Sequence, residues 1–202
     1  MSKPENFLPS KRVFNAMYFP VFLDLRGKQC LIVGNGHIGT RKARALKAAG
    51  AKVTLIERGS RPNPNKYFLV VIATSNRTFN ARLARQCLNR GQLVNVVDDP
   101  ELCNFIYPSR FKSGPLEVAV STGGASPALA RHIRQTLKKQ WGKSWAQFLT
   151  FLEVERKKIM RKVDDPAKRR KILMRAASKK IISLIHQGKL AEAKREFLTG
   201  VS

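Results

Sequence analysis

The sequence predicts an α/β fold organised around an open, mostly parallel sheet. Three observations carry the prediction. A strand, a glycine turn, a helix and a second strand follow one another without interruption between residues 29 and 57; two more short apolar runs, at 67–76 and 93–99, flank a helical stretch; and the chain of 202 residues suits one sizeable core, or a nucleotide-binding half with a smaller second domain.

Taken in order, "QCLIVGN" is a short apolar run of strand type. "IGTRKARALKAAG" is a helix expected to turn Ala45, Leu46 and Ala49 inward and to stop at Gly50. "KVTLIE" is the second strand, so that these pieces form one βαβ unit with a right-handed crossover. "YFLVVIATSN" is apolar without alternation, as in a strand covered on both faces. "NARLARQCLNRG" is a helix closed by Gly91, and "LVNVVDD" a fourth strand. Beyond Pro100 the character changes: "FIYPSRF" and "PLEVAVST" read as a strand pair. In "GGASPALARHIRQTLKKQWG", Ser126 is a good N-cap and Pro127 occupies the first helical position. From Ser144 to about Phe197 the pattern is helical, with one break at "DDPAKRR", where Asp164 or Asp165 caps a new helix.

Composition narrows the function classes. Lys and Arg number 39 against 13 Asp and Glu, a formal charge of +26, so an anionic partner is expected: nucleic acid, or a small molecule rich in carboxylates. No run has the length of a membrane span and the N-terminus lacks signal-peptide order, which gives the cytoplasm as the expected compartment. Cys30, Cys87 and Cys103 stand singly, without CxxC spacing. Free thiols are expected, with neither a disulfide framework nor a zinc site.

Gly34, Gly36 and Gly39 make a GxGxxG pattern between strand and helix, the context in which it has physical meaning. The first permits the tight turn, the second lets a pyrophosphate approach the backbone, and the third lets helix and strand pack closely. Asn35, His37 and Ile38 complete the loop, whose free amides face the phosphates. Glu57 ends the second strand where a ribose hydroxyl is expected. It favours NAD over NADP, although Arg58 and Arg61 stand near enough to soften that preference. Thr74, at the end of its strand, is a further cofactor contact. These features describe a Rossmann-like sheet, but a trimmed one: only nine residues, "RGSRPNPNK", separate Glu57 from Tyr67, too few for the usual next helix and strand. Extended, they span about 30 Å, enough to cross one sheet face.

"YFPVFLDLRGKQCLIVGNGHIGTRKARAL", "VIATSNRTFN", "LVNVVDDPELCNFIYPS" and "LEVAVSTGGASPALARHIR", in that order over residues 18 to 135, resemble the precorrin-2 dehydrogenase and sirohydrochlorin ferrochelatase family, the siroheme synthase N-terminal module. The resemblance implies an NAD-binding domain (1–112), a dimerisation region (113–143) and a C-terminal helical domain (144–202), with the substrate cleft between them in a homodimer. It implies oxidation of precorrin-2 to sirohydrochlorin with NAD as hydride acceptor, and in many members insertion of ferrous iron as a second substrate. The substrate, a tetrapyrrole with eight carboxylates, would account for basic surface. The aspartate of the family's "NVVD" motif falls on Asp98, as the base for protons released on oxidation or metal insertion; a turn cap before Pro100 explains it otherwise. The serine of "GGxSP" falls on Ser126, whose capping role suffices without substrate. Asn95 and Asn104 are substrate-orienting candidates, and Arg41 and Lys42 can face phosphate or carboxylate. No resident metal is expected.

Two alternatives stand beside this reading. One is a chelatase or tetrapyrrole-binding relative with weakened NAD binding, because the trimmed segment removes a wall of the adenosine pocket. The other is a basic nucleic-acid-binding protein reusing the fold, for which Trp141, Trp145, Phe148, Phe151 and Phe197 would be the stacking aromatics.

Overall fold

The computed structural model describes residues 18–57, 60 and 62–199. They fall into two units, one ending at Tyr107 and the other beginning at Pro108.

In the first unit, β1 (Gln29–Val33), β2 (Lys52–Ile56), β3 (Leu69–Ile72) and β4 (Leu93–Val96) form one sheet in the order β2-β1-β3-β4, with every neighbouring pair parallel. Helices α1 (His37–Ala48) and α2 (Arg77–Leu88) supply the crossovers. Side chains alternate across the sheet. Cys30, Ile32, Leu69 and Val71 pack with Ala43 and Leu46 of α1, whereas Leu31, Val33, Val70, Ile72, Val94 and Val96 pack with Leu83, Ala84 and Cys87 of α2. Each such side chain, when fully buried, contributes about 1.5–3 kcal/mol, which explains why the central strands lack polar alternation.

The expected inward face of α1 needs correction. Gly39, Ala43 and Leu46 are buried, at steps of four and three residues, while Ala45 is half-buried and Ala49 is an exposed C-cap. Gly39 lacks the Cβ that would collide with the Gly34 backbone, so this face of the helix can lie close against the end of β1. The chain then reverses through Gly50 at φ +86°.

The short connection after β2 does what its length allows. Its described residues form no further strand; a 3₁₀ turn, Pro64–Lys66, leads into β3, and Gln92 Nε2 pins it by donating to the carbonyls of Pro64 (2.7 Å) and Tyr67 (2.5 Å). β2 is therefore an edge strand, with Leu55 at 38% exposure. The opposite edge, β4, is covered by Asn104, whose side chain accepts from Val94 N–H (2.8 Å) and donates to the Gln92 carbonyl (2.7 Å).

In the second unit, β5 (Ser109–Ser113) and β6 (Leu116–Val120) pair antiparallel, and α3 (Pro127–Gln140) packs on them. The tail is more segmented than one break implies: α4 (Lys143–Lys162), α5 (Pro166–Met174), α6 (Lys179–His186) and α7 (Leu190–Leu198) follow. Asp165 caps α5 through Ala167 N–H, Ser178 caps α6 through Ile181 N–H, and Gly188 at φ +76° ends the third piece. Short helices can fold back on one another where a continuous helix cannot, and they close a core of Phe148, Ile159, Ile172, Ile181, Ile185, Ala193 and Phe197. Among the described residues no helix is long and apolar enough to cross a membrane.

Candidate functional site

The three glycines divide their labour. A Cβ on Gly34, which sits at φ +108°, would lie 2.4 Å from the Ala73 carbonyl oxygen; one on Gly39 would lie 1.9 Å from the Gly34 oxygen. Those two residues are required by packing alone. Gly36 is different, because a Cβ there meets nothing within 4 Å and its backbone, at φ −64° and ψ 179°, is one any residue adopts. Its smallness relieves no contact within the protein, and it leaves open the side from which a pyrophosphate reaches the loop. The N-terminus of α1 has no side-chain cap and no acidic residue in its first turn, so its amides are available to an anion. This loop fits a dinucleotide.

Around it, Asn35, Gly36, His37 and Ile38 are exposed and Gly39 is buried. Asn35 Nδ2 donates to Glu57 Oε1 (3.3 Å), which ties the end of β2 to the loop and orients the exposed carboxylate at the rim. Arg58 and Arg61 lie outside the described residues. Thr74 is only partly available: its hydroxyl donates to Asn80 Oδ1 (2.5 Å) and accepts from Asn76 N–H (3.2 Å), fixing the start of α2. Its backbone runs against Gly34, so it shapes the cradle even with its hydroxyl engaged.

At the end of β4, Asp98 is exposed and has φ +60°, the one left-handed non-glycine residue among those described. Asp tolerates this conformation better than most residues, and the residue stands just past the carboxyl end of β4 in the parallel sheet. The neighbouring Asp99 approaches Arg77 at 3.9 Å, and its carbonyl accepts from the Cys103 thiol (3.2 Å). Asn95 is buried; it donates to the Phe105 carbonyl (3.2 Å), and its Oδ1 accepts from Lys42 Nζ (3.4 Å). Asn104 spends both ends of its amide on the backbone of Gln92 and Val94, a structural use that leaves little for a substrate.

Lys42 is the residue the sequence left unplaced. It stands half-buried on the inward side of α1, three residues after Gly39, with its ammonium 3.5 Å from the Tyr107 ring centroid. Burial pushes its pKa down to about 8, aided by Arg41 and opposed by Cys103 and Asp98. The available signal was a lysine on the 39-43-46 stripe, where a charge is expensive.

In the second unit Ser126 Oγ accepts from Leu129 N–H (3.1 Å), the capping role its sequence context suggests, and its backbone N–H donates to Thr122 Oγ1 (3.1 Å). The aromatics a base-stacking protein would display are instead packed together. Trp141 stacks on Trp145 at 4.4 Å, and Phe151 meets Phe148 and Phe197, each at 5.9 Å. All three cysteines are buried; burial raises the Cys30 pKa and pushes Cys87 up to about 11. No group of three or more metal-ligating side chains occurs among the described residues.

Comparison with known proteins gives two adjoining family matches: an NAD(P)-binding family over residues 21–109, and the sirohaem biosynthesis protein central family over 113–140. Siroheme synthase of Methylococcus capsulatus is 35% identical, and that of Thioalkalivibrio sulfidiphilus 33%, each over 90% of this chain. The alignments take in 43% and 41% of those proteins, so the chain spans about two-fifths of the length of the curated relatives it matches. A solved structure titled SirC, precorrin-2 dehydrogenase, superposes with a TM-score of 0.66 at 25% identity, over 89% of this chain and all of that one.

Proposed function

We propose that this chain, which matches an NAD(P)-binding family and the sirohaem biosynthesis central family in succession, oxidises precorrin-2 to sirohydrochlorin with NAD. The observation that carries the reading is Gly36: it is open, conformationally unforced and beside bare helix amides, which leaves a pyrophosphate room to approach the loop. NAD, when bound, supplies the hydride acceptor. The first-turn amides of α1 hold its pyrophosphate and Glu57, steered by Asn35, takes a ribose hydroxyl. Oxidation of the macrocycle also releases a proton, and the exposed Asp98 carboxylate is the base that takes it.

Ferrous iron insertion into sirohydrochlorin is the proposed second reaction. Iron is a substrate there, and Asp98 accepts the displaced pyrrole protons. We also assign the working form to a homodimer assembled through β5, β6 and α3. In support, α3 buries only Ala130, Leu129 is 51% exposed, and a two-stranded sheet is marginal by itself. The +26 charge then serves a polycarboxylate substrate, a reading favoured over nucleic acid by the packing of the five candidate stacking aromatics. Incubation with precorrin-2 tests the main proposal: sirohydrochlorin should form when NAD is supplied and not when it is omitted, and equal rates in both would overturn it.

A further inference from the structure

We propose that Lys42 is the anchor for one carboxylate of the tetrapyrrole, holding it at the carboxyl end of β4 within reach of Asp98. The proposal rests on the function assigned above and adds a residue to its substrate site.

The position of the side chain is the first argument. Lys42 lies on the face of α1 that meets the sheet, where Gly39, Ala43 and Leu46 are buried, yet its ammonium emerges beside Asn95 and Tyr107 at the end of β4. An ammonium carries three donors. Here one makes a long hydrogen bond, 3.4 Å to Asn95 Oδ1, and the aromatic face of Tyr107 offers a second, weak attraction. Neither carries a negative charge. Among the described residues Lys42 has no ion-pair partner, and the Asp98 carboxylate acts on it only from beyond ion-pair distance.

A lysine removed this far from water is ordinarily paired, because an unpaired charge there costs free energy. The surrounding cost is visible in its lowered pKa. What the site lacks is an anion with acceptor atoms that can approach from the open end of the sheet, and a substrate bearing eight carboxylates supplies one. Asn95 then acquires a purpose beyond its bond to the Phe105 carbonyl: it holds the ammonium in the direction the carboxylate must come from.

The test titrates sirohydrochlorin into the wild-type chain, Lys42→Met and Lys42→Arg, following protein fluorescence, with NAD calorimetry and thermal melting of each variant alongside. Lys42→Met is expected to lose about tenfold or more in tetrapyrrole affinity, the effect of removing one charge-assisted hydrogen bond, with NAD affinity unchanged; Lys42→Arg should recover most of the loss. A pH series adds a readout that packing would not move. The groups facing Lys42 are Arg41 on its own helix, Asp98 after β4, and Cys103 and Tyr107 on the following segment. As pH rises through about 8 the ammonium loses its proton, so wild-type affinity should fall while the Arg variant stays flat. Wild-type affinity in Lys42→Met overturns the inference and leaves the proposed function standing. If the wild-type chain itself fails to bind sirohydrochlorin, the functional reading falls and this inference falls with it.

Discussion

Replacing Gly36 by alanine separates the glycine that serves a ligand from the glycines that serve the fold. The added methyl meets no protein atom within 4 Å, and φ −64° with ψ 179° is ordinary extended backbone, so no strain follows. Two small effects oppose each other: a less flexible unfolded chain gains about 0.4–1 kcal/mol, and losing glycine at a helix N-cap costs a comparable amount. The melting temperature should therefore shift by no more than about 4–8 °C, the equivalent of about 1 kcal/mol in a domain of this size. NAD affinity, read by calorimetry, should fall at least about tenfold, since the methyl stands where the pyrophosphate approaches. Gly39→Ala is the contrast. Its Cβ would lie 1.9 Å from a backbone oxygen, forcing helix and strand apart at a cost of about 1–3 kcal/mol or more, seen as a lower melting temperature before any ligand is added. Undiminished NAD affinity in Gly36→Ala, or an unfolded Gly36→Ala protein, would refute the division of roles.

Asp98→Asn keeps a residue that tolerates φ +60° and removes only the base, so NAD binding should persist while turnover in the precorrin-2 assay disappears. Ser126→Ala should cost about 1 kcal/mol in denaturant unfolding through loss of the α3 cap; a larger loss of turnover than of stability would add a substrate contact to that role. Leu129→Asp should convert the proposed dimer to monomers in analytical ultracentrifugation, and an unchanged mass would contradict that interface. Cys30 and Cys87, buried and with raised pKa values, should resist a thiol reagent at pH 8 until the chain is unfolded; rapid labelling of the native protein would contradict their burial.

The sheet was legible because its signals are local. The uninterrupted apolar runs that became β1 and β3, and the glycines that close the helices, each answer to the geometry of one short segment. Even the shortened connection after Glu57 was readable from chain length alone: nine residues can cross a sheet but cannot build a helix and return. What the sequence could not supply is rotation and pairing. The face of α1 that packs closely at Gly39 presents Ala43 rather than Ala45 and Ala49, and Lys42 beside Ala43 reaches the end of β4. Asn104 read as a polar residue near a motif, whereas its amide completes a sheet edge, a role that exists only once β4 is known to lie outermost. The extra breaks in the helical tail escaped for a different reason. Ser178 and Gly188 are ordinary residues until tertiary packing selects where the chain folds back.

The most direct test of the central claim is the stoichiometry of NADH to sirohydrochlorin formed anaerobically from precorrin-2 by the purified chain. The account predicts equal amounts, appearing together and only with NAD present. Sirohydrochlorin formed without matching NADH, or no conversion at all, would contradict it.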